Sequence, residues 1–140
     1  MQGLLQRFFS LHRPLLSKLN ELLGEYNLSY SLWQVILYLK NNQPSSLVDI
    51  ANYYDIEKPS ITRRVHRLEE GLIVKTISGK DRREKIIELT EIGEELYKVC
   101  RERITELENN VVRDISENDQ ISTFETLTKI QKNITNEKEI

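Results

Sequence analysis

Apolar residues recur every three or four positions along most of the chain, which is the period of an amphipathic α-helix. The first such segment, residues 4–23, has a broad apolar face made of two sets: Leu4, Phe8, Leu11, Leu15, Leu19 and Leu22, and Leu5, Phe9, Leu16 and Leu23. Pro14 lies within it and predicts a kink or the start of a second helix, because proline lacks an N–H donor and clashes with the preceding turn. A face this broad favours a helical dimer interface, and burial against the chain's own core is the alternative.

Three helices are predicted next. Residues 32–40 are strongly apolar and predict a core helix, with Ser29 or Ser31 as its N-cap. Ser46 and Asp49 have the spacing of a capping box and predict the start of a short second helix. A turn of about four residues leads to a third helix, and two helices joined in this way are typical of a helix-turn-helix.

The third helix, over 59–70, has two distinct faces. Pro59 suits its first turn and Gly71 ends it. Its apolar side predicts a buried stripe formed by Ile61, Val65, Leu68 and Leu72. Its opposite side is polar and basic, with Arg63, His66, Arg67 and Glu70 facing outwards and Ser60 and Arg64 on the flanks.

A β-hairpin is predicted after this helix. Residues 73–78 and 85–89 are rich in β-branched side chains, which favour strands. The connecting turn, residues 79–84, carries three cations. The hairpin would therefore present a basic tip, as a wing does.

Two more helices complete the predicted elements. Thr90 predicts the N-cap of a long helix over 91–113. Ser116 and Asp119 predict the start of a last helix, whose final residues, 133–140, are expected to fray.

Charge is unevenly distributed, although the chain as a whole carries −2. Residues 58–83 hold eight Lys/Arg against three Asp/Glu, a net charge of +5, whereas the flanking segments are acidic. A basic block of this kind indicates a local polyanion-binding surface, and a solvated helix face is the alternative.

The helix and the hairpin tip carry groups that suit duplex DNA. Arginine pairs with guanine edges or with phosphate, and Arg63, nearer the helix start, is predicted to contact a base. Ser60 and Thr62 are predicted to contact phosphate or a thymine methyl group. An arginine of the hairpin tip is predicted to enter a narrow minor groove.

The residue inventory argues against an enzyme, a metal site or a bound cofactor. His12 and His66 lie in different elements, and no catalytic triad order or glycine-rich phosphate loop is present. Cys100 is predicted to be a buried structural thiol, with a redox switch as the alternative. The chain lacks a secretory signal pattern and an apolar run near the roughly 18 residues that span a bilayer, so a cytoplasmic protein is expected.

The run Lys58-Pro-Ser-Ile-Thr-Arg-Arg-Val-His-Arg-Leu-Glu-Glu-Gly-Leu-Ile73, followed by Asp81-Arg-Arg-Glu-Lys-Ile-Ile-Glu-Leu-Thr-Glu-Ile-Gly93, resembles the MarR/SlyA family of regulators. The resemblance extends over nearly the whole chain. It implies a winged helix flanked by helices that form a homodimer. It also implies pseudo-palindromic operators, and repression relieved by a small phenolic or lipophilic ligand.

The resemblance also implies roles for particular residues. Arg83 matches the wing arginine that enters the minor groove, and Asp81 matches the carboxylate that orients it. Arg64 and Arg67 are interpreted as phosphate-binding or intradomain groups. The full predicted DNA-binding set is Ser60, Thr62, Arg63, Arg64, Arg67, Lys80, Asp81, Arg82 and Arg83.

Two further expectations come from the resemblance. Many members have Leu-Glu-x-x-Gly-Leu where this chain has Leu68-Glu-Glu-Gly71-Leu, which is interpreted as one residue fewer and predicts a slightly different wing angle. A ligand pocket would lie in the crevice between dimer helices and winged domain. Its predicted wall residues are His12, Tyr26, Tyr30 and Trp33, with ordinary core or interface packing as the alternative for each.

The sequence therefore predicts a mainly α fold with a small β-hairpin wing, that is, a winged helix-turn-helix with N- and C-terminal dimerisation helices. Residues 29–90 would form the DNA-binding region, and residues 1–28 and 91–140 the dimerisation region, within one compact domain. The expected partners are double-stranded DNA, a second copy of the chain and a possible small-molecule effector. The rival interpretation is a helical interaction module whose DNA-binding face is vestigial.

Overall fold

A computed structural model describes residues 3–78 and 85–136, which form a mostly helical fold with a small sheet. In chain order the elements are α1 (Leu4–Gly24), α2 (Tyr30–Asn42), β1 (Ser45–Ser46), α3 (Leu47–Tyr54), α4 (Lys58–Glu70), β2 (Val74–Ser78), β3 (Lys85–Leu89), α5 (Glu91–Val111) and α6 (Glu117–Asn136). They divide into two units, Met1–Ile104 and Thr105–Ile140. The predicted mainly α fold with a winged helix-turn-helix is confirmed.

The core of the first unit is built around α2, which packs against α1, α4 and β3. Val35, Ile36 and Leu39 of α2 have no solvent exposure. Opposite them lie the fully buried Ile61 and Val65 of α4. Each such side chain stabilises the fold by about 1.5–3 kcal/mol relative to an exposed position.

Predicted helix caps are present at Ser29, Ser46, Thr90 and Ser116. The Ser29 hydroxyl oxygen accepts a hydrogen bond from the Leu32 N–H, so Ser29 is the N-cap of α2. Ser46 and Asp49 form a capping box with reciprocal bonds of 3.1 and 3.2 Å. These caps satisfy N–H groups that have no partner within the helix.

The sheet has the order β1-β3-β2 and is antiparallel throughout. In the hairpin, Val74 pairs with Leu89 and Ser78 with Lys85. Strand β1 was not predicted, because two residues are too few to show an alternating pattern. Only its pairing with Ile86 and Ile87 of β3 makes it a strand.

A close contact fixes the start of α5 against the residue that precedes β2. The carbonyl oxygen of Ile73 accepts a hydrogen bond of 3.0 Å from the Thr90 N–H. The Thr90 hydroxyl donates to the carbonyl oxygen of Leu72 at 2.5 Å and lies 3.1 Å from that of Ile73. Thr90 also caps α5, as predicted, by accepting a bond from the Gly93 N–H. A Cβ atom at position 93 would lie 2.2 Å from the Ile73 carbonyl oxygen. Only glycine fits there without displacing backbone.

The path of the chain differs from the prediction in two helices. Helix α1 runs without interruption through Pro14, so of the two predicted outcomes, a kink or a second helix, the second helix is wrong. One missing N–H bond does not end a helix whose other turns are intact. Helix α6 continues to Asn136, so the fraying predicted from residue 133 is wrong for 133–136.

Leu72 is also placed differently from its prediction. It is 64% exposed rather than part of the buried stripe, because α4 ends at Glu70 and Leu72 adopts φ +61°. Leu72 lies four residues after Leu68. In the family's Leu-Glu-x-x-Gly pattern, the glycine likewise lies four residues after the leucine. The segment is therefore not one residue short, and a leucine occupies the left-handed position that glycine favours.

We expect Gly93→Ala to lower the free energy of unfolding by about 1–3 kcal/mol, as overpacking a tight contact does. The matched control is Gly24→Ala, because a Cβ there would have nothing within 4 Å. Urea unfolding followed by circular dichroism measures both. Equal stabilities of the two variants would contradict the close contact.

We expect Leu72→Gly to raise the free energy of unfolding by about 0.5–1 kcal/mol, because glycine adopts the left-handed conformation without steric strain. The greater conformational freedom of glycine in the unfolded chain offsets part of this gain. Leu72→Ala is the control, because it removes most of the exposed side chain but keeps the Cβ that causes the strain. The same unfolding assay compares them. A gain in the alanine variant as large as in the glycine variant would contradict the explanation.

Candidate nucleic-acid interface

Helix α4 presents a basic outer face because its inner face is buried. Ile61, Val65 and Leu68 are at most 1% exposed, which fixes the rotation of the helix about its axis. The opposite side chains point to solvent: Thr62, Arg63, His66, Arg67 and Glu70 are exposed, and Ser60 and Arg64 are half-buried. The structure thus brings the α4 residues predicted to bind DNA onto one surface, with two of them on its flanks.

Arg64 is held by α2, unlike its exposed neighbours. Its Nη1 donates to the backbone oxygen of Ser31 at 3.3 Å and to Oε1 of Gln34 at 3.0 Å. Gln34 in turn accepts at its backbone oxygen a 2.7 Å bond from the Tyr54 hydroxyl of α3. Burial raises the pKa of Tyr54 to about 12, so this hydroxyl stays a donor at neutral pH. Gln34 therefore joins α2, α3 and α4 at one point.

The hydroxyl of Thr62 forms a hydrogen bond within its own helix. Its hydroxyl donates to the backbone oxygen of Lys58 at 3.0 Å, the preceding-turn bond common for threonine in helices. Across α4, His66 and Glu70 form an exposed pair with 2.9 Å between Nε2 and Oε1. Arg63 and Arg67 are exposed cations of this surface.

Glu69 connects the last turn of α4 to the base of the hairpin. Its carboxylate accepts a bond of 2.6 Å from the Lys85 ammonium of β3 and one of 3.3 Å from the Thr76 hydroxyl of β2. Sequence reasoning counted Glu69 only as a charge. No periodicity signals this role, because it depends on two strands that follow in the chain. The predicted wing residues Lys80, Asp81, Arg82 and Arg83 lie outside the described residues.

The four predicted wall residues of a ligand pocket occupy three different places. His12 and Tyr30 line one cleft of about 410 Å³ between α1 and the start of α2. Tyr26 lines another cleft, of about 760 Å³, together with Leu32, Ile73 and Leu96. Trp33 is buried and stacks on Tyr97 at 5.5 Å between ring centroids. The structure brings only His12 and Tyr30 to a common cleft.

The second of these clefts reaches α4. Arg67, Leu68, Glu70 and Gly71, from the last turn of that helix and its C-cap, also form part of its wall. A molecule bound there would contact the same helix that presents the basic face.

Cys100 is fully buried in the core. Burial raises the pKa of its thiol to about 11, and the nearby Arg103 only partly offsets this. A thiol that is neither accessible nor ionised at neutral pH fits the structural role. Among residues 3–78 and 85–136 no group of three potential metal ligands is found, and no helix of that part is long and apolar enough to cross a membrane.

Comparison with known proteins assigns the chain to a family. The sequence model described as "MarR family" matches residues 28–85, which include α2, α3, α4 and β2. The HTH-type transcriptional regulator YwoH of Bacillus subtilis is 32% identical over 108 residues, covering 77% of this chain and 79% of YwoH. The chain belongs to the MarR family. It is thus a DNA-binding transcriptional regulator, and it is not an enzyme.

Two solved structures from Staphylococcus aureus have the same fold. Staphylococcus aureus MarR, in complex with salicylate and kanamycin, superposes with a TM-score of 0.90 at 26% identity, covering 97% of this chain and 93% of that one. Staphylococcus aureus MepR in complex with DNA gives a TM-score of 0.82 at 22% identity, covering 96% and 98%. The winged helix predicted from the sequence is the fold of this family.

Proposed function

We propose that this MarR-family chain acts in the cytoplasm as a homodimeric repressor that binds pseudo-palindromic operators. The observation that carries the proposal is the outer face of α4, where Arg63 and Arg67 are exposed one helical turn apart. A helix with such a face fits the major groove, where arginine pairs with guanine O6 and N7. The hairpin tip would then lie along the adjacent minor groove, with Arg83 inserted and Asp81 orienting it.

The dimer is proposed from apolar surface that the described residues leave uncovered. On α1, Leu4, Leu5, Phe8, Phe9 and Leu11 are 45–66% exposed. On α6, which has no buried residue, Phe124 is 73% exposed. Amphipathic helices gain most of their stability by burying an apolar face, and a second copy of the chain would cover both of these. Two-fold symmetry would set the two α4 helices about 34 Å apart, one turn of DNA.

Release by a small phenolic or lipophilic ligand is proposed at the cleft of about 760 Å³. Its apolar wall, formed by Leu28, Leu32, Leu96 and Val99, suits an aromatic ring, and Tyr26 and Arg67 supply polar groups. Staphylococcus aureus MarR, with its bound salicylate, is a relative in which such a compound binds. Because the cleft wall includes the end of α4, an occupant that binds one position of this helix more tightly than another would shift the DNA-binding face toward that position.

We expect Arg63→Ala to weaken operator binding by roughly 1–3 kcal/mol and to relax the preference at one operator position. Fluorescence anisotropy with operator duplexes selected from genomic fragments measures both. Arg101→Ala, which removes an arginine from α5, is the control and should retain affinity and preference.

For the wild-type dimer, the logarithm of DNA affinity should fall against the logarithm of salt concentration with a slope near −7 if about eight phosphates are neutralised. A flat salt response would favour the interaction-module interpretation instead.

We expect Phe9→Asp to dissociate the dimer, because a carboxylate would have to be buried in the apolar interface without a partner. Tyr53→Asp is the matched control, since Tyr53 of α3 is 68% exposed and Phe9 is 66% exposed. Sedimentation equilibrium should give a monomer for the first variant and a dimer for the second. A Phe9→Asp protein that remains dimeric would contradict the proposed α1 interface.

A further inference from the structure

The side chain of Gln43 connects three elements that meet at the base of the hairpin. Gln43 is the residue that directly follows α2. Its Oε1 accepts a hydrogen bond of 2.9 Å from the N–H of Leu89, the last residue of β3. Its Nε2 donates one of 2.9 Å to Oε1 of Glu94, in the first turn of α5. A single exposed amide thus joins the end of α2 to the hairpin and to α5.

The bond to Leu89 continues the sheet beyond the end of β1. In the pairing of β1 with β3, Ser45 lies opposite Ile87. The same antiparallel register, extended by two residues, sets Gln43 opposite Leu89. The backbone of residue 43 is not part of β1, and its side-chain amide supplies the acceptor instead. Since β3 is the central strand of the sheet, this bond holds the strand by which the chain leaves the hairpin.

Glu94 and Lys40 fix which way the amide of Gln43 faces. Nζ of Lys40 donates to Oε2 of Glu94 at 2.7 Å, so each oxygen of this carboxylate receives a donor. The hydrogen bonds from Lys40 and Gln43 lower the pKa of Glu94, which therefore accepts and does not donate at neutral pH. The N–H of Leu89, in contrast, donates. The amide oxygen of Gln43 must therefore face Leu89, and its NH₂ group must face Glu94.

Lys40 connects this arrangement to the core. Its Nζ lies 5.5 Å from the centroid of the Tyr97 ring, within the range of a cation–π contact. Tyr97 in turn stacks on the buried Trp33 of α2. We call Gln43, Glu94 and Lys40 the amide network. Its contacts hold the base of the hairpin in a fixed relation to α2 and to the start of α5.

We propose that Gln43 is a positioning residue for DNA binding, which sets the direction of the hairpin relative to the rest of the winged helix. Glu94 and Lys40 act through it by orienting its amide. At about 3.3 Å per residue, β3 extends roughly 13 Å from Leu89 to Lys85, so a small rotation at its base becomes a larger displacement at its far end. The effect on DNA rests on the proposed contact between the hairpin tip and the minor groove, whereas the anchoring of β3 does not.

The test exchanges the donor and acceptor roles of residues 43 and 94. Gln43→Glu alone sets two carboxylates against each other. Glu94→Gln alone leaves one oxygen for the donors of both Lys40 and Gln43. In the double variant, Gln43→Glu with Glu94→Gln, every donor again meets an acceptor and the net charge equals that of the wild type. Asn41→Asp, near the end of α2, is the control, because it adds the same charge as Gln43→Glu outside the amide network.

The first measurement follows amide hydrogen exchange by NMR in the full-length protein without DNA. Each single variant should raise the exchange rate of the Leu89 amide about three- to tenfold, the factor that one net hydrogen bond is worth. The double variant and Asn41→Asp should keep the wild-type rate. The amide of Val35, buried in α2, reports global opening and should exchange equally in all five proteins. Unchanged exchange at Leu89 in the single variants, or no recovery in the double variant, would overturn the proposal.

The second measurement compares the affinities of the same proteins for operator duplexes with A·T-rich or G·C-rich flanks. Each single variant should lose about three- to tenfold in affinity for the A·T-rich flanks, and the double variant should regain it. Affinity for the G·C-rich flanks should stay unchanged, because a merely destabilised protein would lose affinity for every duplex alike.

The two measurements separate the anchoring of β3 from the proposed DNA contact. Altered Leu89 exchange with unaltered affinity for A·T-rich flanks would refute the role of Gln43 in DNA binding. A wild type without any flank preference would refute the proposed minor-groove contact, and the exchange rates would still decide whether Gln43 anchors β3.

Discussion

The burial of one face of α4 is the constraint on which the DNA-binding surface depends. Ile61 and Val65 are fully enclosed by the core that α2 and α3 provide. Since successive residues of an α-helix are separated by about 100°, fixing this stripe fixes the direction of every other side chain. Arg63 and Arg67 face solvent as a consequence. The hydrophobic effect thus orients the charged groups, and no direct contact with them is needed.

The second part of the surface, the hairpin, is positioned from the same helix. Glu69 binds Lys85 and Thr76 at the base of the strands. Just before β2, the backbone oxygens of Leu72 and Ile73 accept hydrogen bonds from the hydroxyl and the N–H of Thr90, respectively. The absent side chain of Gly93 allows α5 to begin directly against the Ile73 carbonyl. In the segment Leu89-Thr90-Glu91-Ile92-Gly93, the threonine and the glycine therefore hold the hairpin between α4 and α5.

The three arginines of α4 differ in how much freedom they retain. Arg63 and Arg67 extend into solvent, whereas Arg64 is tied to α2 through Ser31 and Gln34. Freedom suits a side chain that must adapt to a base edge, and a fixed guanidinium suits an anion of constant shape such as phosphate. The same helix thus combines adaptable and preorganised cations, next to a cleft whose occupant would contact its last turn.

The sequence by itself determined the helices, their caps and the inward and outward faces of α4. These features are local, since periodicity and capping depend on residues only a few positions apart. Tertiary structure alone decided the pairing of β1, the bonds of Arg64 and Glu69, and the separation of Trp33 from His12 and Tyr30. Tertiary structure also showed that Leu72 adopts the left-handed conformation that glycine favours. From the spacing alone, the segment after Leu68 had been interpreted as one residue short. Such contacts join residues distant in the chain, and a pattern within one segment carries no information about which other segment will meet it.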